Sequence, residues 1–423
     1  MAPAGGERDD ALKNQTKLTA AERGWIEYDV ASSAFTMLIS TTIPILFRGL
    51  ADLSGMESAQ VTSLWGTATS VSVLVLALLS PLLGALADYK GMKKRMFLLF
   101  LAAGLAGLVG LSKANSWGVY LVVFLIARIG YAACNIFYDS MLVDVTTDER
   151  MDLVSSYGYA LGYIGSCIPF AAGIFLILFD PLGMGTTGAT QFSFLLTAVW
   201  WAVLSLPLLL RVRQVHYLED RRDKLGHAFT RLGQTLKKIR KDKKLFNFIL
   251  AYFCYIDGVY TIISMATVYG GEVGISDTSM ILALLLTQVV AFPCAILSGK
   301  AAQRFGTLRI LRIFVVLYCG ICLFGFGLDQ AWEFWVLAVA VGMAQGGIQS
   351  LSRSYFGRLV PKEESNEYFG FFDIFGRFAD FLGPLIVAVC AQLTGRSSYG
   401  ILGLLALFIV GFVLLGRVER LSR

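Results

Sequence analysis

The chain has 423 residues, of which 56% are hydrophobic and only 16% charged, and its mean hydropathy is +0.66. A water-soluble domain carries roughly 25% charged residues, so this composition excludes a soluble enzyme or binding module. The net charge of +6 follows from membrane topology and calls for no nucleic acid or acidic partner.

Taken in chain order, residues 1–23 are polar and charged. They read as a cytoplasmic tail without a cleavable signal. Apolar runs follow, each long enough to cross about 30 Å of hydrocarbon as a helix. They fall at 24–47, 61–87, 95–112, 117–142, 154–179 and 191–210, then at 245–270, 278–301, 308–328, 332–356, 367–392 and 398–416. We call them spans 1 to 12. The alternating strands of a membrane barrel are absent from the sequence, so helices are the expected way across. The predicted fold class is an all-α integral membrane protein with twelve transmembrane helices in two six-helix pseudo-repeats. Residues 24–210 form the N-terminal bundle, 245–416 the C-terminal bundle and 417–423 a second cytoplasmic tail.

Between the bundles lies a polar bridge, 211–244, with 12 of the 36 Lys and Arg residues. Leu225, Phe229, Leu232, Leu236 and Ile239 share one face of a helix there. Lys224, Arg231, Lys237, Lys238 and Arg240 fill the other positions. The pattern predicts an amphipathic helix on an anionic membrane surface, the alternative being a solvated helix with a packing stripe. Both histidines, His216 and His227, sit in the bridge.

Charge bias sets the orientation. The tails, the bridge, loop 2–3, loop 8–9 and a loop 10–11 holding Arg353, Arg358 and Lys362, with Arg150, together place 31 of the 36 basic residues on one side. The other side has Arg48, Lys113 and Arg396. Both termini and the bridge are therefore expected in the cytoplasm. The halves repeat. GALADYKG at 84–91 recurs 215 residues later as GKAAQRFG at 299–306, and 145–162 aligns at an offset of 214 with 359–376. Such repeats predict a transporter whose site lies between the halves at mid-membrane.

An ionisable group at mid-bilayer costs roughly 2.5–3.5 kcal/mol, so each needs a partner or a wet cavity. Helical rise places Arg128, Asp257, Arg377 and Asp380 deep, and Asp29 and Asp139 nearer the cytoplasm. Asp373, Arg377 and Asp380 share one face of span 11. Arg128 and Asp257 are expected to pair across a central cavity. Such a pair can hold a zwitterion, carboxylate on Arg and ammonium on Asp, or its acid can carry a proton. A static salt bridge is the alternative. The seven cysteines all fall in spans and read as packing residues, including Cys319 and Cys322. No G-x-x-x-x-G-K-[ST] loop and no nucleophile–base or metal spacing appears, so neither an enzyme nor a cofactor is expected.

The stretch GALADYKGMKK, 84–94, resembles the loop 2–3 signature of the major facilitator superfamily. The resemblance implies a cytoplasmic gate at Gly84, Asp88 and Gly91. In the second copy Gln303 replaces the acid. Four further stretches are similar to the vacuole-effluxer-like branch of that superfamily: WIEYDVASSAF at 25–35, DGVYTIISMATVYGGEVGI at 257–275, GGIQSLSRSYFGRLVP at 346–361 and EYFGFFDIFGRFADFLGP at 367–384. That resemblance implies a monomeric secondary transporter, with amino-acid efflux as its activity. A bacterial member would sit in the plasma membrane. The candidate substrate or proton-coupling residues are Asp29, Arg128, Asp139, Asp257, Asp373, Arg377 and Asp380, with a small-molecule substrate, protons and the bilayer as partners. Two alternatives stay open, a drug or lipid exporter suited to the Phe-rich span 11, and a membrane sensor or scaffold that transports nothing.

Overall fold

The computed structural model describes residues 17–219, 224–272, 274–328, 330–394 and 398–422. Among the described residues, 12 helices are long and apolar enough to cross a membrane. They are Ala20–Leu53, Gln60–Ala87, Met92–Leu111, Trp117–Val145, Met151–Phe179 and Gly185–Arg211, then Lys243–Ala266, Leu282–Phe305, Thr307–Phe326, Trp332–Leu359, Lys362–Thr394 and Ser398–Arg420. Their order matches spans 1 to 12, and most run beyond the apolar core that defined them. Span 1 starts early because Thr19 and Glu22 form a reciprocal capping box. It breaks at Thr41, between Ala20–Ser40 and Thr42–Leu53. Pro44 has no N–H for the Ser40 carbonyl, and Thr41 donates its hydroxyl to the Met37 carbonyl at 2.6 Å.

Among the described residues two large hydrophobic cores form, with a small cluster around Met280 and Phe334 beside them. One is built from residues between Trp25 and Val212, the other from residues between Ile239 and Val418. The halves meet along two equivalent seams, span 2 against span 11 and span 5 against span 8. Glycines set the approach. A side chain on Gly84 would collide with the Asn366 carbonyl, and one on Gly299 would come within 2.7 Å of Ser156.

Span 10 differs from expectation. Its helix continues to Leu359, so Arg358 belongs to it and not to a loop, and Arg353, counted with that loop, lies within it as well. Arg353 is only 4% exposed. The bridge differs too. Its helix, Lys224–Lys241, buries Ala228, Arg231, Thr235 and Ile239 against the protein and leaves Phe229 61% and Leu236 54% exposed. The expected apolar stripe is therefore split: Ile239 turns inward, Phe229 and Leu236 outward. Arg231 accounts for the rotation, because two buried carboxylates wait for it. The preceding extended stretch is laced to loop 2–3. Leu218 donates its N–H to the Asp88 carbonyl at 2.9 Å, and Lys90 donates to the Leu218 carbonyl at 3.1 Å.

Candidate functional site: a charged seam between the halves

Span 10 carries small residues around Arg353: Gly346, Gly347, Ser350, Ser352 and Ser354. This lets its backbone press on the other half and sends the long side chain across. Arg353 donates from Nη1 to Asp139 at 2.9 Å and from Nη2 to Asp29 at 3.2 Å. Its Nε donates to the Ser155 hydroxyl at 3.0 Å, and Nη2 to the Ser155 carbonyl at 3.1 Å. The guanidinium lies 4.6 Å from the Trp25 ring, 5.3 Å from Tyr138 and 4.3 Å from Tyr159. A guanidinium is flat and weakly hydrated, so it stacks on rings and forks onto carboxylates at once. The box is braced from within. Tyr138 donates its hydroxyl to Asp29 at 2.9 Å, and Trp25 donates its indole N–H to the Tyr138 carbonyl at 2.8 Å. Gly158 leaves room for it, since a Cβ there would meet Asp29 Oδ2 at 2.7 Å. Asp29, which helical rise sets nearer the cytoplasm than mid-membrane, is buried by these partners.

The predicted gate residues lie at the face that carries the bridge. Asp88 ends span 2 and points at the start of the helix of span 11. Its carboxylate accepts the Asn366 backbone N–H and side-chain N–H at 2.9 Å each, and the Glu367 N–H at 3.3 Å. The first N–H groups of a helix have no partner inside it and carry partial positive charge, so an anion is stabilised there. Arg231 of the bridge helix joins Asp88 at 3.2 Å and Glu367 at 2.5 Å. Burial pushes the Asp88 carboxyl up to about 6, against the pull of Asn366 and Arg231. Gly91 turns the loop at φ +71°, a backbone state that a side chain resists. Lys93 follows, fully buried, 2.6 Å from Asp144.

The second seam repeats this with other groups. Gln303 donates to the Glu149 carbonyl at 3.2 Å. Arg358 holds Asp152 through two bonds of 2.9 Å. Arg358 stands 214 residues after Asp144, and Arg353 stands 214 residues after Asp139. Equivalent positions of the repeat thus carry opposite charges.

The remaining predicted residues are distributed around this seam. Asp373 pairs with Arg377 at 2.6 Å on span 11 and accepts the Ser80 hydroxyl of span 2 at 2.8 Å. Asp257 is buried, and the hydrogen bond described for it comes from the Gly383 N–H at 2.8 Å. That bond stays inside its own half. Arg128 lies 5.9 Å from the Phe124 ring one turn away. The Asp380 side chain lies outside the described residues. A cavity of about 100 Å³ opens in the C-terminal half, lined by apolar groups with Thr261, Thr287 and Gln345. Sequence reasoning missed Arg353, Arg231, Lys93 and Arg358 as site residues. The offset of 214, carried six residues before Val145, was the signal that would have set Arg353 opposite Asp139.

Residues 19–422 match the model of the family described as vacuole effluxer Atg22 like. The chain is 43% identical over 408 residues to the uncharacterized MFS-type transporter YxiO of Bacillus subtilis, covering 95% of each chain. It is 28% identical over 298 residues to autophagy-related protein 22 of Cryptococcus neoformans, covering 64% of this chain and 54% of that one. The human organic anion transporter MFSD10 has the same fold, with a TM-score of 0.72 at 16% identity over 94% of this chain and 98% of that one. The chain is an MFS-type transporter that crosses the membrane many times, and it belongs to the vacuole effluxer Atg22-like family.

Proposed function

We propose that the protein is a secondary active transporter that exports a small polar or zwitterionic solute, an amino acid in the first instance, by alternating access coupled to protons. The observation that carries this reading is the insertion of Arg353 from one half between two acids of the other. If the bridge face opens, Arg353 must withdraw, and Asp29 and Asp139 lose their counter-charge. A proton can supply it, which couples the motion to protonation. Asp257 is a further candidate carrier, while Arg128, Asp373, Arg377 and Asp380 supply polar contacts to the solute. Gly84, Asp88 and Gly91 work the gate. The basic bias of the bridge face supports a cytoplasmic position for it and for both termini. The membrane is the plasma membrane, in keeping with the bacterial relative. The family description, vacuole effluxer, supports export, and the mixed charges of the seam support a polar or zwitterionic solute.

Uptake by purified protein in proteoliposomes tests this, with a panel of labelled amino acids and an imposed pH gradient. Gradient-driven accumulation of one class, lost in Asp139→Asn protein that stays folded, is the expected result. Accumulation indifferent to the gradient would remove the proton role. A second reading, export of an apolar drug or lipid, is favoured by the apolar cavity of the C-terminal half. Transport of a hydrophobic dye and of no amino acid would replace the first reading with this one.

A further inference from the structure

We infer that the box around Arg353 is itself a binding site for a guanidinium-bearing organic cation, filled by the protein's own side chain here and vacated when the bridge face opens. The inference rests on the alternating-access reading only for the withdrawal of Arg353. What the box recognises is seen directly, because a guanidinium occupies it.

Every wall comes from the N-terminal half: Trp25 and Asp29 from span 1, Tyr138 and Asp139 from span 4, Ser155 and Tyr159 from span 5. None of these groups leaves with span 10. Bonds that do not involve Arg353 hold three of these walls, Trp25, Tyr138 and Asp29, in place. Trp25 stacks on Tyr138 with ring centroids 4.5 Å apart and donates to its carbonyl, and Tyr138 holds Asp29. A site ordered before its ligand arrives loses little on binding. The vacated box offers two carboxylates, a carbonyl, a hydroxyl and three ring faces. A small hydrated metal ion would make no use of the rings. A quaternary ammonium would make no use of the acceptors. A guanidinium uses both. When the halves close again, Arg353 returns as a tethered competitor and displaces the bound cation, so the same residue seals the face and empties the site.

The test is thermal unfolding of the full chain carrying Arg353→Ala, with guanidinium chloride or agmatine at about 10 mM, against potassium and choline chlorides. A ligand that binds only the folded state raises the midpoint. We expect a rise of at least about 3 °C with guanidinium or agmatine. We expect none in wild type, and none when Asp29→Asn and Asp139→Asn are added. A shift no larger than that given by potassium, one matched by choline, or one that survives loss of both acids overturns the proposal.

Should the Arg353→Ala protein not stay monodisperse, wild-type Arg353 decides the matter. A single Ser140→Cys is placed at the buried bridge-face seam, in a chain whose seven native cysteines are replaced. A cation that binds only the open box must shift the population that way and speed thiol labelling by about twofold or more. Equal rates with agmatine and choline overturn it. Failed uptake in proteoliposomes would remove the transport reading and leave these binding results standing. Failed binding with uptake intact would remove this site alone.

Discussion

Taking a guanidinium out of water costs several kcal/mol, and Arg353 offsets that with two carboxylates, a hydroxyl, a carbonyl and three ring faces. Removing one partner of such a cluster leaves charge buried without compensation. We predict that Arg353→Ala lowers stability by about 3–5 kcal/mol, seen as a lower unfolding temperature in detergent. Adding Asp29→Asn and Asp139→Asn on that background should recover a good part of the loss. Equal stability of wild type and Arg353→Ala would mean that the cluster holds nothing together. Asp139 was legible from sequence, because one acid in a long apolar run has few reasons to be there. Arg353 was not. It lies near the end of the 332–356 run and was counted with the basic loop that holds Arg358 and Lys362. A charge count registers the cation but cannot register acids that lie 324 and 214 residues earlier.

At the scale of elements, the bridge is a structural part of the seam. Arg231 places the bridge helix against Asp88 and Glu367. We predict that Arg231→Ala frees this helix while the spans stay folded. Amide exchange within Lys224–Lys241 should then rise about tenfold or more, and unchanged exchange would show that other contacts hold the helix. Gly84→Val tests the seam from the other side, since any side chain there meets the Asn366 carbonyl. That variant should fold but keep the bridge face open, with faster labelling of a cysteine at Ser140 and loss of transport. The helical period of the bridge was readable from its leucines. Its orientation was not, because periodicity reports which residues share a face and says nothing about which face finds a partner.

For the molecule as a whole, the position of the equilibrium between the two closures depends on pH through Asp88. With the face closed its carboxyl is raised from 3.8 to about 6. Arg231, Lys93 and Glu367 face it. An arrangement that binds a proton more tightly gains as pH falls. Closure of the bridge face should therefore strengthen as pH drops through about 6, and this contribution should fade above it. Spin-label distances across the bridge face from about pH 5 to about pH 8 measure the effect. Asp88→Asn should flatten the curve, and a curve that Asp88→Asn leaves intact would assign the titration to another group. Twelve spans in two halves were legible because membrane insertion writes itself into hydropathy. Which face is closed was not, because both arrangements use the same helices and differ only in contacts between residues far apart in sequence.

The opposite charges at matching positions of the repeat have a consequence for assembly. Asp139 matches Arg353, and Asp144 matches Arg358. Two N-terminal halves facing each other would set acid against acid, and two C-terminal halves would set base against base. Each half therefore rejects its own copy and accepts only the other, so a chain cut within the bridge and expressed as two fragments should reassemble as one of each. The division of charge makes the two halves of the repeat complementary and not interchangeable: neither half can serve in place of its twin.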